Sequence, residues 1–215
     1  IILCCIIGFF LILILGIRIY FRLPVSEYYK NSEKAFVIPG ISDGMVHQGL
    51  AYDKKTDEFL ITGYKSGGKA SQVSIVSRSS GKEIKRLNLA NKDGSAFTGH
   101  VGGISLNGDF IYVADGKGLA VFNKSDFISA KSGDSVKMSG CFKTVTENDY
   151  LRVAFTHVEG DMIYVGEFYR ESNYPTPDTH KYTTAAGDKN TALILVYKLD
   201  ETAPFGISEK IERAY

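Results

Sequence analysis

Short apolar runs rich in Ile, Val, Tyr and Phe recur along the chain, each preceded by a smaller apolar run and a polar turn. The longer runs begin at Phe59, Phe110 and Met162, roughly 50 residues apart. Runs of this length and composition, bounded by Gly, Asn, Asp and Ser, are typical of β-strands. A repeat of this period built from strands predicts a propeller or a linear array of sheets.

Turn residues divide the first repeat into short segments. Such turns occur at 53–57, at Ser66-Gly67-Gly68 and at 79–82. Four strands joined by tight turns form an antiparallel meander, which is the blade of a propeller. The strands predicted for this first blade, which covers about 48–89, are 48–53, 58–64, 72–77 and 83–89.

The second and third repeats predict two further blades, at about 102–145 and 151–199. Asn107-Gly108 is typical of the primed hairpin turns that match strand twist. The fourth strand of the third blade is not evident, unless 210–214 begins it. The other predicted strands are 102–106, 110–114, 119–123 and a fourth near 136–145 in the second blade, and 151–157, 162–168 and 192–199 in the third.

This pattern predicts an all-β body at 37–215, a partial β-propeller of about three four-stranded antiparallel blades. Three blades do not close a ring and would leave open sheet edges. We therefore expect a ring of six or so blades, of which this chain, beginning at Ile1 and not at Met, is a fragment. A β-sandwich is the alternative, although its strands need not recur in sets of four.

The N-terminal segment 1–22 is apolar up to Arg18 and predicts a transmembrane signal-anchor helix, followed by a polar stalk at 23–36. A cleaved signal peptide and a buried core helix are the alternatives. Arg18, Arg22 and Lys30 would favour a cytoplasmic body by the positive-inside rule. Propellers behind a single anchor usually face outward, so we expect a single-pass cell-membrane protein with its body on the extracellular side.

Charge and cysteine content exclude several classes of function. The formal net charge is +1, from 25 Lys+Arg and 24 Asp+Glu, which provides no basic surface for nucleic acid. Cys4 and Cys5 lie in the apolar leader and Cys141 stands alone, so the body has no disulfide framework. No Cys/His spacing is typical of a metal site.

The segment His100-Val101-Gly102-Gly103-Ile104, followed by Asp109-Phe110-Ile111-Tyr112-Val113-Ala114-Asp115, resembles six-bladed propellers of the TolB-like, NHL and SMP-30/strictosidine-synthase kind. It is most similar to uncharacterised exported bacterial propeller proteins, over roughly 40–200. The resemblance implies architecture and not chemistry, because propellers include hydrolases, lyases and plain binding modules. The Glu and Asn/Asp set of the calcium-dependent lactonase propellers has no match here.

Residues just before each innermost strand of a propeller tend to face the central channel. This places His47 and Gln48, His100, and Arg152 near one end of the channel. Histidine is a ready ligand and acid–base group. The alternative is that each histidine hydrogen-bonds the backbone of a neighbouring blade and holds the blades together.

A long insertion at 169–190 supplies further candidates. Tyr169, Tyr174 and His180 offer aromatic faces and hydrogen-bond donors suited to a carbohydrate, peptide or small molecule, and Glu167 precedes the loop. A merely solvated loop is the alternative. No cofactor is expected, although Asp43 and Asp115 at the channel rim would suit Ca²⁺.

The sequence thus predicts a membrane-anchored extracellular propeller that serves as a ligand-binding or scaffold module. The alternative is a hydrolase-, lactonase- or lyase-like propeller enzyme that uses a cation or the histidines in its channel. No GxSxG motif supports a serine nucleophile. Whether the protein is an enzyme stays open at this point.

Overall fold

The computed structural model describes residues 2–144 and 151–215. The chain divides into two compact units, Ile1–Phe36 and Val37–Tyr215. Strands hold 40% of the residues and helices 21%, which confirms the prediction of a β-rich body and an N-terminal apolar helix. The helices are α1 (Ile2–Arg22), α2 (Ser26–Lys30) and α3 (Lys124–Ser129), with 3₁₀ turns at Leu23–Val25, Ile41–Asp43, Asp178–His180 and Pro204–Gly206.

The strands are β1 (Val46–Asp53), β2 (Glu58–Tyr64), β3 (Gln72–Ser77), β4 (Glu83–Ala90), β5 (Ile104–Asn107), β6 (Phe110–Ala114), β7 (Gly118–Asn123), β8 (Ser135–Lys137), β9 (Gly140–Lys143), β10 (Val153–Glu159), β11 (Met162–Glu167), β12 (Ile194–Leu199) and β13 (Ile207–Ala214).

The first unit is built around α1, in which no residue is buried. This helix is long and apolar enough to cross a membrane, a property that signal sequences share. The segment predicted as a polar stalk is partly helical, since a 3₁₀ turn containing Pro24 leads into α2. The Arg22 guanidinium lies 4.8 Å from the centre of the Tyr29 ring, a cation–π contact between α1 and α2.

The second unit contains three sheets. Sheet 1 has the strand order β1-β2-β3-β4-β8, sheet 2 the order β5-β6-β7-β9 and sheet 3 the order β10-β11-β12-β13. Neighbouring strands pair antiparallel throughout, except that β8 pairs parallel with β4. Each sheet therefore begins with a meander of three or four consecutive strands, as the turn residues predict. Strand β13 supplies the fourth strand of sheet 3 that the sequence only suggested.

The structure differs from the sequence-based prediction between the third strand of sheet 2 and the start of sheet 3. The strand expected near 136–145 is two separate strands, because β8 joins sheet 1 and only β9 closes sheet 2. Its last predicted residue, Val145, lies outside the described residues. The preceding segment forms α3, which the sequence analysis did not predict, and Lys85 Nζ caps its C-terminal carbonyls at 2.5 to 2.9 Å.

The middle sheet is buried on both faces. Along β6, Ile111 and Val113 belong to a core cluster shared with sheet 1, whereas Tyr112 and Ala114 belong to a cluster shared with sheet 3. This alternation is the period of two that a β-strand imposes. Three sheets packed face to face, with a core in each interface, do not correspond to the two-sheet sandwich.

The residues leading into β5 approach the neighbouring sheets closely at Gly102 and Gly103. The Gly102 carbonyl accepts a hydrogen bond from Thr62 Oγ1 at 2.7 Å, and the Gly103 N–H donates to Ala154 O at 3.0 Å. A Cβ added at Gly102 would overlap the Ala154 carbonyl group. Glycine is required there because the backbones of neighbouring sheets touch.

Candidate functional site

A pocket of about 640 Å³ opens where the three first strands meet. This volume lies in the range of small-molecule sites. All three sheets contribute to its wall. The lining residues are Gln48, His100, Val101, Gly102, Asp115, Gly116, Lys117, Arg152, Val153, Ala154, Phe168 and Tyr174.

Gln48, His100, Arg152 and Tyr174, four of the residues predicted from sequence, line this pocket together. Gln48 lies on β1 of sheet 1, His100 precedes β5 of sheet 2, and Arg152 precedes β10 of sheet 3. Each sheet thus presents one polar side chain from near the start of its meander.

The two channel histidines differ in their surroundings. The His100 ring stacks on the Tyr64 ring, with 4.1 Å between centroids and 18° between planes, and it lines the pocket. His47 is not among the lining residues, and its Nε2–H donates to the Pro39 carbonyl at 2.7 Å. His47 therefore bonds backbone, but the partner belongs to the segment before β1 and not to a neighbouring sheet, as the alternative required.

The turn between β6 and β7 forms the floor beside Arg152. Asp115 Oδ1 accepts hydrogen bonds from the N–H groups of Lys117 and Gly118, both at 2.8 Å. The Gly116 N–H donates to Val153 O at 3.0 Å, which fastens this turn of sheet 2 to sheet 3. Burial raises the pKa of Asp115 above its usual value, and the two turn N–H groups oppose that shift.

An aromatic pair forms one wall of the pocket. The Phe168 and Tyr174 rings meet edge to face with centroids 5.6 Å apart, and both side chains are exposed. Backbone hydrogen bonds between Arg170 and Tyr174 close the turn that brings Tyr174 back to Phe168. Tyr169, predicted with them, is not among the lining residues.

Glu167 and His180 lie buried next to the pocket wall and do not line it. His180 Nδ1 lies 3.0 Å from both carboxylate oxygens of Glu167, so its N–H donates to the carboxylate. Oε1 also accepts from Arg152 N–H at 3.2 Å, and Oε2 from Leu193 N–H at 3.1 Å. One carboxylate thus connects the start of β10, the long loop and the approach to β12.

His180 is 1% exposed, and its Nε2 is a buried atom without a hydrogen-bond partner in the part of the chain that the structure describes. The hydrogen bond to Glu167 assigns the proton to Nδ1 in the neutral ring, which leaves Nε2 as an acceptor. An unpaired buried acceptor costs stability, so burying His180 Nε2 carries a local energetic penalty.

Sequence reasoning missed Lys117 and Phe168. Lys117 stands in Asp115-Gly116-Lys117-Gly118, a composition typical of a hairpin turn. Its place in the pocket depends on the Gly116–Val153 hydrogen bond between two sheets. Phe168 directly follows β11 and precedes the predicted loop. Its position as an aromatic residue at the start of that loop could have indicated that it lines the pocket.

The suggestion of a cation site finds no donor set in residues 2–144 and 151–215. No group of three or more His, Cys, Asp or Glu side chains in these ranges is placed to hold a metal ion. Asp43, the proposed partner of Asp115, does not line the pocket and pairs with Arg86 at 2.8 Å. That guanidinium holds the pKa of Asp43 below its usual value.

The chain matches no protein-family model and no curated protein sequence.

Proposed function

We propose that this protein is a membrane-anchored β-propeller whose pocket binds a small ligand. In this proposal α1 is the anchor, sheets 1 to 3 are consecutive blades, and the body stands on the extracellular side of the cell membrane. The pocket is one end of the central channel, and the protein acts as a binding or scaffold module.

One observation carries the proposal. Gln48, His100 and Arg152 lie in or just before the first strands of three sheets and line a single pocket. A repeat that turns one polar side chain per sheet toward a common opening is the way in which propellers build their channel lining. The polar side chains would fix a ligand's orientation, and Phe168 with Tyr174 would cover its apolar part.

The sheet packing supports the propeller. Each interface buries its own apolar core, and the segment leading into β5 makes backbone contact with the first strand of sheet 3 at Gly103. Radial stacking requires the sheets to lie closest at the first strand of each blade. The mainly antiparallel meander order of all three sheets fits the same arrangement.

The test is a ligand-observed NMR screen of neutral monosaccharides, dipeptides and aromatic fragments against the full chain in phosphatidylcholine nanodiscs. We expect binders whose affinity falls about tenfold in His100→Ala, the loss typical of a central contact residue. His157→Ala is the matched control, because His157 is exposed on β10 and does not line the pocket. Equal losses in both variants, or the absence of any binder, would contradict the proposal.

A further inference from the structure

Two cationic side chains enter the pocket from different sheets, and they are held near one another by the backbone. Lys117 directly follows Gly116, and Arg152 directly precedes Val153. The hydrogen bond from Gly116 N–H to Val153 O, at 3.0 Å, therefore lies between the two cationic positions. Both side chains are exposed and line the same opening.

Neither cation forms an ion pair within the described ranges 2–144 and 151–215. Two other cations of this unit are paired, Lys124 with Asp53 at 2.5 Å and Arg86 with Glu83 at 2.8 Å. Lys117 and Arg152 thus keep their charged ends available to a molecule in the pocket.

The carboxylates beside the pocket are already bound to protein groups. Asp115 Oδ1 accepts from two N–H groups of its own turn, and Oδ2 lies 4.0 Å from Cys141 Sγ. Both oxygens of Glu167 accept from His180 and from backbone N–H groups, and its side chain is fully buried. Glu167 is therefore not arranged as a counter-ion for the two cations, whereas Asp115 lines the same pocket and interacts electrostatically with Lys117 without forming an ion pair.

We propose that the ligand is an organic acid with a planar apolar part, whose carboxylate lies between Lys117 and Arg152. The planar part would pack on Phe168 and Tyr174. A guanidinium provides paired donors that match a carboxylate, and the ammonium adds a second charge-assisted hydrogen bond. This inference rests on the proposed ligand-binding function of the pocket.

Benzoate and benzamide are suitable probes because they have nearly the same shape and differ in charge. Affinities are measured by saturation-transfer NMR with the full chain in phosphatidylcholine nanodiscs, against empty nanodiscs. We expect benzoate to bind about tenfold more tightly than benzamide at low salt, as two exposed charge contacts predict. Raising the NaCl concentration to about 0.5 M should remove most of that preference.

Arg152→Gln and Lys117→Gln should each reduce benzoate affinity about three- to fivefold and reduce benzamide affinity by a smaller factor. Lys92→Gln is the control, because Lys92 is an exposed lysine that does not line the pocket. Equal affinities for the two probes, a preference that survives both substitutions, or no benzoate binding at millimolar concentration would overturn the inference. If benzamide binds as well as benzoate, the pocket remains a ligand site and only its preference for anions is wrong.

Discussion

Glu167 is the residue on which the local structure beside the pocket depends most. Its carboxylate accepts hydrogen bonds from the side chain of His180 and from the backbone of Arg152 and Leu193. These donors come from three separate stretches of the chain. Because all of these groups are buried or partly buried, no water molecule would readily replace a missing acceptor.

Glu167→Gln is expected to lower the free energy of unfolding by about 2 to 3 kcal/mol. The amide keeps the volume of the side chain, but its NH₂ group would face N–H donors in place of one acceptor oxygen. Urea denaturation measures the change, with Glu159→Gln as the control, since Glu159 is exposed at the end of β10. A loss no larger than in the control would mean that the buried carboxylate does not organise this region.

Tyr112 and Tyr197 form a matched pair of buried phenols, and burial raises the pKa of each to about 12. The Tyr112 hydroxyl donates to Phe205 O at 2.8 Å, whereas the Tyr197 hydroxyl is buried without a partner among the described residues. Tyr112→Phe should therefore cost about 1 kcal/mol of stability at neutral pH. Tyr197→Phe should be neutral or slightly stabilising, and equal losses in the two variants would contradict this.

The raised pKa values also predict how stability depends on pH. A phenol whose pKa is higher in the folded state than in the unfolded state, where it is about 10, stabilises the fold fully below pH 10. That contribution is lost as the pH rises from about 10 toward 12. Urea midpoints measured across this interval should fall less steeply in Tyr197→Phe than in the wild type. An unchanged slope would show that Tyr197 titrates alike in both states.

Among the elements, the segment leading into β5 packs closely against β10. Gly102→Ala should destabilise the protein by about 3 kcal/mol, because the added Cβ meets the backbone carbonyl of Ala154 and not a movable side chain. Gly99→Ala is the control, since its Cβ meets only the Phe97 ring, at 3.1 Å, and should cost less. Thermal unfolding compares the two variants. Similar midpoints would argue against a close contact between the backbones at Gly102 and Ala154.

The sequence predicted elements well where strand and turn signals are local. The predicted bounds 58–64, 72–77 and 110–114 coincide with β2, β3 and β6, because turn residues delimit apolar runs on both sides. That β8 joins sheet 1 was not predictable from the sequence. The strand pairs with Asn88, Leu89 and Ala90 of β4, which lie more than 40 residues earlier in the chain.

The candidate site was predicted in part, for a similar reason. Gln48, His100 and Arg152 could be selected because each lies at or just before a strand that the sequence predicts. The burial of His180 could not be predicted, because its partner Glu167 lies at the far side of a loop whose path the sequence does not determine.

For the whole molecule, α1 is proposed to be a retained anchor, and its centre is apolar. Wild-type protein should stay in the membrane pellet after alkaline carbonate extraction. Mass spectrometry of that pellet should show the full mass of the chain, with the leader still attached. Leu11→Arg with Ile12→Arg should release it, since each arginine costs about 2.5 to 3.5 kcal/mol at the centre of a spanning helix. Ile128→Arg, at a site 62% exposed on α3, is the control. Release of the wild type, or a loss of mass matching the leader, would contradict a retained anchor.

We propose that the three sheets of the second unit place their first strands around one ligand pocket. The most direct measurement is an experimental structure of the full chain soaked with the fragments that bind in solution. We expect fragment density in contact with Gln48, His100 and Arg152 at once. Density confined to another cavity, such as the one of about 370 Å³ beside Tyr197 and Phe205, would contradict it. So would first strands too far apart to share a pocket.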